Sequence, residues 1–262
     1  MSPRRPPRPE TVAKHTARRH EAEGPPVVRA LSAAEHAVLD TVAPPAVAPG
    51  AADAREEATR IRAELEGFLR ELLSWNKDSN LVAAGDLGRL VSRHVLESLV
   101  VLPVLDRLAA AAAAGGKEVR LVDVGSGAGF PAIPIAIARP TWHVDVIESR
   151  RRKGLFLQRV AERMTHANLT AHTDRAERVT FEPEKRAHLA TARAVSVLAE
   201  LLPVLAPLVR PGGHAVLFKG SSHSEELAAW TATKSKLWRH VETVAVPDRH
   251  LWFEVFERTA VD

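Results

Sequence analysis

The chain has 262 residues, 45% of them hydrophobic, with 36 Lys and Arg against 32 Asp and Glu for a net charge of +4. That apolar content excludes a wholly disordered polypeptide, and the absence of cysteine excludes disulfides, thiolate metal sites and thiol nucleophiles. No uninterrupted apolar run suits a membrane span or a signal core, and the slight basic excess favours an anionic partner.

Residues 1 to about 29 combine Pro, Arg and charge without apolar periodicity, which predicts a disordered tail. Its Arg4, Arg5, Arg8, Arg18 and Arg19 either touch RNA phosphates or are simply solvated. Ser32 and Glu35 make a capping-box pattern before Val38, Leu39 and Val42, predicting a short helix; Pro44, Pro45 and Pro49 follow as a linker. From Asp53 a stronger helix is expected, because Ile61, Leu65, Phe68, Leu69 and Leu72 recur at helical spacing; it should end near Trp75. A third helix is read from about Gly88 through Leu90, Leu96, Leu99 and Leu102, kinked by Pro103 and carried by an alanine run to Gly115-Gly116.

After Gly116 strands and helices alternate: strand Val119–Val124, helix Pro131–Ala138, strand His143–Ile147, helix Lys153–Met164 and strand Leu169–His172. A short helix around Ala176–Val179, strand Leu189–Val195 and helix Leu198–Leu208 come next. Pro211-Gly212-Gly213 predicts a sharp turn into strand His214–Lys219, before helix Glu225–Trp238 and strands Val241–Val246 and Leu251–Glu257. This alternation predicts an α/β fold with a mostly parallel sheet covered on both faces, and the short final connection makes the C-terminal pair an antiparallel hairpin. Three parts are expected: a basic extension over 1–52, a helical segment over 53–116 and the alternating domain over 117–262.

The chemistry concentrates between Leu121 and Phe130, where an apolar strand ends in Asp123 and passes into Gly125, Gly127 and Gly129. Such a turn lets a ligand approach backbone without a Cβ in the way. About 20 residues on, the next strand ends in Glu148, the position from which an acid binds ribose hydroxyls. Gly127, Gly129 and Ala132 meet the looser dinucleotide fingerprint. Asp123 would repel a pyrophosphate yet can hold the ammonium of a methionine, and Pro131 and Pro134 remove helix-start donors that a pyrophosphate would use. These features favour S-adenosylmethionine over a dinucleotide. Arg193, ending an apolar strand, either pairs with Asp123 or another buried acid, or meets substrate or a methionine carboxylate. Arg150, Arg151, Arg152 and Lys153 follow Glu148 directly and are candidates for phosphate contact, with a solvated helix face as the alternative. Trp75 and Trp252 either stack on bases or pack in the core. The histidines show no zinc-type spacing, so no metal is expected.

Asp123-Val-Gly-Ser-Gly-Ala-Gly-Phe-Pro-Ala-Ile-Pro resembles the signature of the bacterial small-subunit ribosomal RNA guanine-N7 methyltransferases, the RsmG family (glucose-inhibited division protein B). Further motifs agree in order: Trp75-Asn76-Lys77 with Asn80-Leu81, Arg93-His94 with Ser98, Thr191-Ala-Arg-Ala-Val195, and Leu217-Phe-Lys-Gly220. The resemblance covers about Arg55 to Arg258. The chain departs from the family at Ala132, where glycine is usual, at Ala187-His188-Leu189, where the strand usually opens with aspartate, and in the strand Leu251 to Arg258, which lacks the usual final lysine.

The resemblance implies a class I (Rossmann-like) methyltransferase fold preceded by N-terminal helices, with Gly125 and Phe130 lining S-adenosylmethionine, Ala176 and Glu177 at its adenine and Arg193 over the site; Asp123, Gly127, Gly129 and Glu148, read above, complete the expected cofactor set. It implies 16S ribosomal RNA or the small ribosomal subunit as partner, with Lys77, Arg93 and Lys219 joining the basic cluster on one rim, in a cytoplasmic, monomeric, membrane-free enzyme. Missing cysteine excludes pyrimidine C5 methylation, and Ser196-Val197-Leu198 is not the (Asn/Asp)-Pro-Pro-aromatic motif of amine methylation. Guanine N7 has no proton to lose, so orientation suffices, with Arg193 as the one candidate catalytic group. Small-molecule methylation, cofactor or RNA binding without turnover, and NAD-dependent oxidation are the rival readings.

Overall fold

Every apolar residue in the stripe of the first helix, α1 (Ala51–Ser79), points inward: Ile61, Leu65, Phe68, Leu69 and Leu72 are all buried. The computed structural model describes residues 51–260 other than Lys117, His166 and Ala167; the tail, capping-box helix and linker expected before residue 51 lie outside them. Helix α1 continues a turn beyond Trp75 and stops at Asn80, whose φ of 45° suits the left-handed region that asparagine tolerates. The Asn76 side chain accepts a hydrogen bond from the Val82 amide at 2.7 Å, which turns the chain back.

The expected third helix is broken. A 3₁₀ segment (Ala84–Arg89) passes into a π-helical turn (Leu90–Val95), then α2 (Leu96–Leu99) and α3 (Leu102–Ala114). Pro103 lies in the first turn of α3, where its missing N–H is harmless, so the break precedes the proline. Ser98 is fully buried and its hydroxyl donates to the His94 carbonyl at 2.6 Å, which accounts for the Arg-His-x-x-x-Ser spacing.

Seven strands form one sheet in the order β3-β2-β1-β4-β5-β7-β6. They are β1 (Arg120–Val124), β2 (His143–Ile147), β3 (Leu169–His172), β4 (Ala187–Arg193), β5 (Val209–Lys219), β6 (Trp238–Ala245) and β7 (Trp252–Arg258). The first five pair in parallel, and β7 runs antiparallel between β5 and β6. Helices α4 (Ala132–Ala138) and α5 (Arg151–Arg163) share a core cluster with α1 and α3 on one face; α6 (Leu198–Leu205) and α7 (His223–Ala232) lie in a second cluster. This is the class I, Rossmann-like methyltransferase fold, and its strand order reverses direction between β1 and β4.

Several boundaries differ from expectation: β4 runs Ala187–Arg193 and stops short of Val195, and α6 ends at Leu205 rather than Leu208. Pro211-Gly212-Gly213 is a bulge inside β5: pairing steps from Ala187–Val209 to Leu189–His214, with Gly212 at φ 75°. Helix α7 ends at Ala232, well before Trp238, which instead opens β6 with its indole N–H bonded to the Leu202 carbonyl.

Candidate functional site

The reversal puts the carboxyl ends of β1 and β4 side by side, the place where open α/β sheets bind ligands. Gly125 (φ 73°) follows β1, and a Cβ there would lie 2.6 Å from Val195 in the loop after β4. At Gly129 (φ 93°) a Cβ would meet the Ile133 side chain at 2.2 Å, so this glycine seats α4 against the turn. The Gly127 amide donates to Glu148 Oε2 at 3.0 Å, and Glu148 Oε1 accepts from the Arg150 amide at 2.7 Å. Glu148 therefore ties the glycine turn to the start of α5.

Asp123 is 1% exposed. Its Oδ1 accepts from the Thr191 hydroxyl at 2.7 Å, while Oδ2 is buried without a partner. Burial pushes this carboxyl up to about 7, with Glu148 adding to the rise and Arg193 opposing it. Arg193 pairs with a different acid, the half-buried Glu97, at 2.5 Å, and its Nη1 is buried without a partner. Glu97 comes from α2, so the irregular segment before β1 reaches across to the edge of the sheet. His94 stacks on Phe130 with ring centroids 5.2 Å apart, and its Nε2 is buried and unpaired. Burial and the Arg193 charge bring the imidazole down to about 4, so it is neutral at physiological pH.

Beside this edge is a cavity of about 330 Å³ whose lining includes Gly125, Ile147, Ala176, Glu177, Val195 and Ser196. Gly125, Ala176 and Glu177 are thus brought together, as expected. Phe130 is not in that lining; it is 7% exposed, wedged between Phe68 and His94. A larger cavity of about 540 Å³, between α1, α4 and α5, is lined by none of the expected site residues.

Of the expected phosphate contacts, Lys77, Arg93, Arg150, Arg151 and Arg152 are exposed and Lys153 half-exposed. Arg93 is tethered to Asp86 at 3.0 Å. The Lys153 ammonium lies against the glycine turn, 3.7 Å from where a Cβ on Gly127 would stand. Lys219 departs from the rest. It is 8% exposed, and its Nζ donates to the Ser196 carbonyl and to Glu226, each at 2.7 Å. Its charge is spent inside the protein, holding the loop after β4, which removes it from the rim. Trp252 stacks on His223 at 4.5 Å.

Residues 61–252 match the family described as rRNA small subunit methyltransferase G. The chain belongs to that family. Relatives named ribosomal RNA small subunit methyltransferase G include one from Sorangium cellulosum, 39% identical over 188 residues, covering 71% of this chain and 75% of the relative. Another, from Chromobacterium violaceum, is 37% identical over 180 residues, 68% of this chain and 80% of the relative. In this family member the match includes α2 and the β4 loop as well as the glycine turn. Sequence reasoning assigned no role to Glu97, His94 or Ser196. Glu97 and His94 fall inside or beside the Arg-His-x-x-x-Ser motif, which was the available signal. Among the described residues no His, Asp and Glu group is placed to hold a metal, and no helix is long and apolar enough to cross a membrane.

Proposed function

We propose that the chain transfers a methyl group from S-adenosylmethionine to N7 of a guanine in 16S ribosomal RNA, in the decoding-region loop, acting as a cytoplasmic monomer. The observation that carries the cofactor assignment is the pair of unmatched buried atoms, Asp123 Oδ2 and Arg193 Nη1, at one strand edge. An α-amino acid group needs one acceptor for its ammonium and one donor for its carboxylate, and an unmet polar atom in the interior is otherwise unfavourable. Asp123 takes the ammonium and Arg193 the carboxylate, with Glu97 fixing the guanidinium. The cavity beside Gly125 takes the nucleoside: Ala176 and Glu177 at the base, and Glu148 at the ribose through lone pairs left over from its amide bonds.

When bound, S-adenosylmethionine supplies an electrophilic methyl on a sulfonium. The protein's part is orientation. Guanine N7 carries a lone pair and no proton, so no general base is required, and holding two reactants at attack distance contributes ~7–11 kcal/mol. The carboxylates of the site have other work: Glu148 accepts two amides, and Asp123 accepts a hydroxyl on one oxygen and offers the other to the ammonium. His94, neutral and beside Arg193, adds no positive charge next to a sulfonium or to the cationic product. Val195 and Val197, 42% and 46% exposed after β4, offer apolar surface to the incoming base. The basic rim of Lys77, Arg93 and Arg150 to Lys153 meets RNA phosphates.

The deciding experiment is methyl transfer from labelled S-adenosylmethionine to small-subunit RNA, or small subunits, lacking the modification, followed by chemical cleavage at N7-methylguanosine. One strong cleavage in the decoding-region loop is expected. Cofactor binding without transfer to either substrate would refute the assignment.

A further inference from the structure

A separate cavity of about 420 Å³ opens where the end of α1 meets the start of α5, lined by Ser74, Trp75, Asp78, Ser79, Arg152 and Leu155. Its walls are unlike an ordinary surface dent. Leu155 is 44% exposed, one of a handful of large apolar side chains among the described residues that face solvent. Trp75 is half-buried and held in place from behind. Its indole N–H donates to Glu71 at 3.0 Å, and its ring lies against Phe156 with centroids 5.9 Å apart. Arg152 reaches over to the Asp78 carbonyl at 3.3 Å, and Lys77 and Arg151, adjacent in sequence to lining residues, are exposed. The first turn of α5 carries cations and no acid of its own; the carboxylates at hand are Glu148, which accepts the Arg150 amide just before the helix, and Asp78 in the cavity wall. The next residue, Lys153, lies against the glycine turn, so consecutive side chains of α5 face this cavity and the cofactor edge.

We propose that this cavity is a nucleobase subsite that takes one single-stranded nucleotide flanking the guanosine to be methylated. Trp75 and Leu155 bound the base faces, Asp78 and the hydroxyls of Ser74 and Ser79 meet its polar edge, and Arg152, Lys77 and Arg151 meet the adjoining phosphates. An apolar slot rimmed by cations is the arrangement by which proteins hold unstacked nucleotides: the aromatic face accepts any base and the cations follow the backbone. The same charges disfavour a basic protein segment. The assignment rests on the RNA-methylating reading above. It adds a second point of attachment, which fixes the RNA's register as well as its position.

The test uses the full-length protein on whichever substrate it methylates, free RNA or particles. Leu155→Glu places a carboxylate at the lip of an exposed helical position. It should raise KM for the RNA substrate about tenfold, leaving kcat and the KM for S-adenosylmethionine within about twofold. Leu155→Met should restore the wild-type value. Abasic nucleotides are then scanned through the target loop. At one position flanking the methylated guanosine, loss of the base should raise the wild-type KM about tenfold and add little in Leu155→Glu. An unchanged KM in Leu155→Glu overturns the proposal. So does a raised KM that multiplies with every abasic position, which would mean that the cavity holds something other than a base. If the wild-type protein binds cofactor yet methylates neither RNA nor particles, the functional reading fails first and the subsite fails with it.

Discussion

Asp123 on β1 and Asp145 on β2 sit on paired strands, are 1% and 3% exposed, and behave as opposites. Burial raises the proton affinity of both. At Asp145, bonds from His143 and His172 overcome that rise and hold the carboxyl well below the usual carboxylate range. His172 lies at 2.8 Å, and Arg120 adds a contact at 3.1 Å. Glu254, fully buried on β7, is likewise surrounded by partners: His223 and His240 at 2.8 Å and the Thr243 hydroxyl at 2.7 Å. At Asp123 the nearby cation is already paired with Glu97, one oxygen has no partner, and the carboxyl rises to about 7. Equal burial with unequal partners separates a carboxylate whose bonds are all made inside the sheet from one with an oxygen left open, as the proposed ammonium site requires.

Breaking the first kind should give the largest effect. Asp145→Asn takes away the buried carboxylate shared by His143, His172 and the half-buried Arg120, and about 3 kcal/mol of stability should go, read as a lower Tm with cofactor affinity per folded molecule retained. Because the folded carboxyl lies below its free value of 3.8, this stabilisation is present above about pH 4. The gap between variant and wild type should close as pH falls below that. Breaking the second kind should cost function alone. Asp123→Asn should weaken S-adenosylmethionine binding about 10–100-fold by calorimetry, with Tm at pH 8 no lower than wild type. At Asp123 the pH dependence runs the other way: a carboxyl raised from 3.8 to about 7 favours the fold only when protonated. Its contribution is lost as pH climbs through 7, so the variant's Tm advantage should grow from pH 4 to pH 8. A Tm that drops along with binding would erase the distinction between the two carboxylates.

A subtler version keeps the side chain and moves the pH. The ammonium of the cofactor needs Asp123 ionised, so the Kd should rise about tenfold from pH 8 to pH 6, and Asp123→Asn should flatten that slope. The smallest effect is expected at Lys219→Met. Release of the Ser196 carbonyl should raise the Kd for cofactor about threefold to tenfold and leave affinity for RNA unchanged. A loss of RNA affinity there would return Lys219 to the rim.

The sheet and the glycine turn were legible because local rules govern them. Leu121 to Val124 is a short apolar run, Gly125 and Gly129 answer to positive φ and close contacts, and Leu169–His172 is bounded as read. Family motifs added Ala176 and Glu177, which no periodicity marks. What stayed hidden depends on contacts far apart in the chain. Glu97 meets Arg193 across 96 positions, and Lys219 meets Ser196 across 23, so an exposed-looking lysine turned out to be an internal brace. The Gly88–Leu102 stretch reads as one helix because its apolar residues keep helical spacing through 3₁₀ and π turns that preserve the buried side. Pro211-Gly212-Gly213 reads as a turn because the same residues serve a bulge.

Glu148 has a consequence of its own, since one carboxylate clasps the Gly127 amide and the Arg150 amide together. Any ribose that draws on those oxygens competes with the clasp for the same lone pairs. Filling the nucleoside cavity should therefore register in solvent hydrogen exchange as a change at the Arg150 amide, the first residue of the basic run. Occupancy of the cofactor edge would in that way be felt at the start of α5, where the basic run begins.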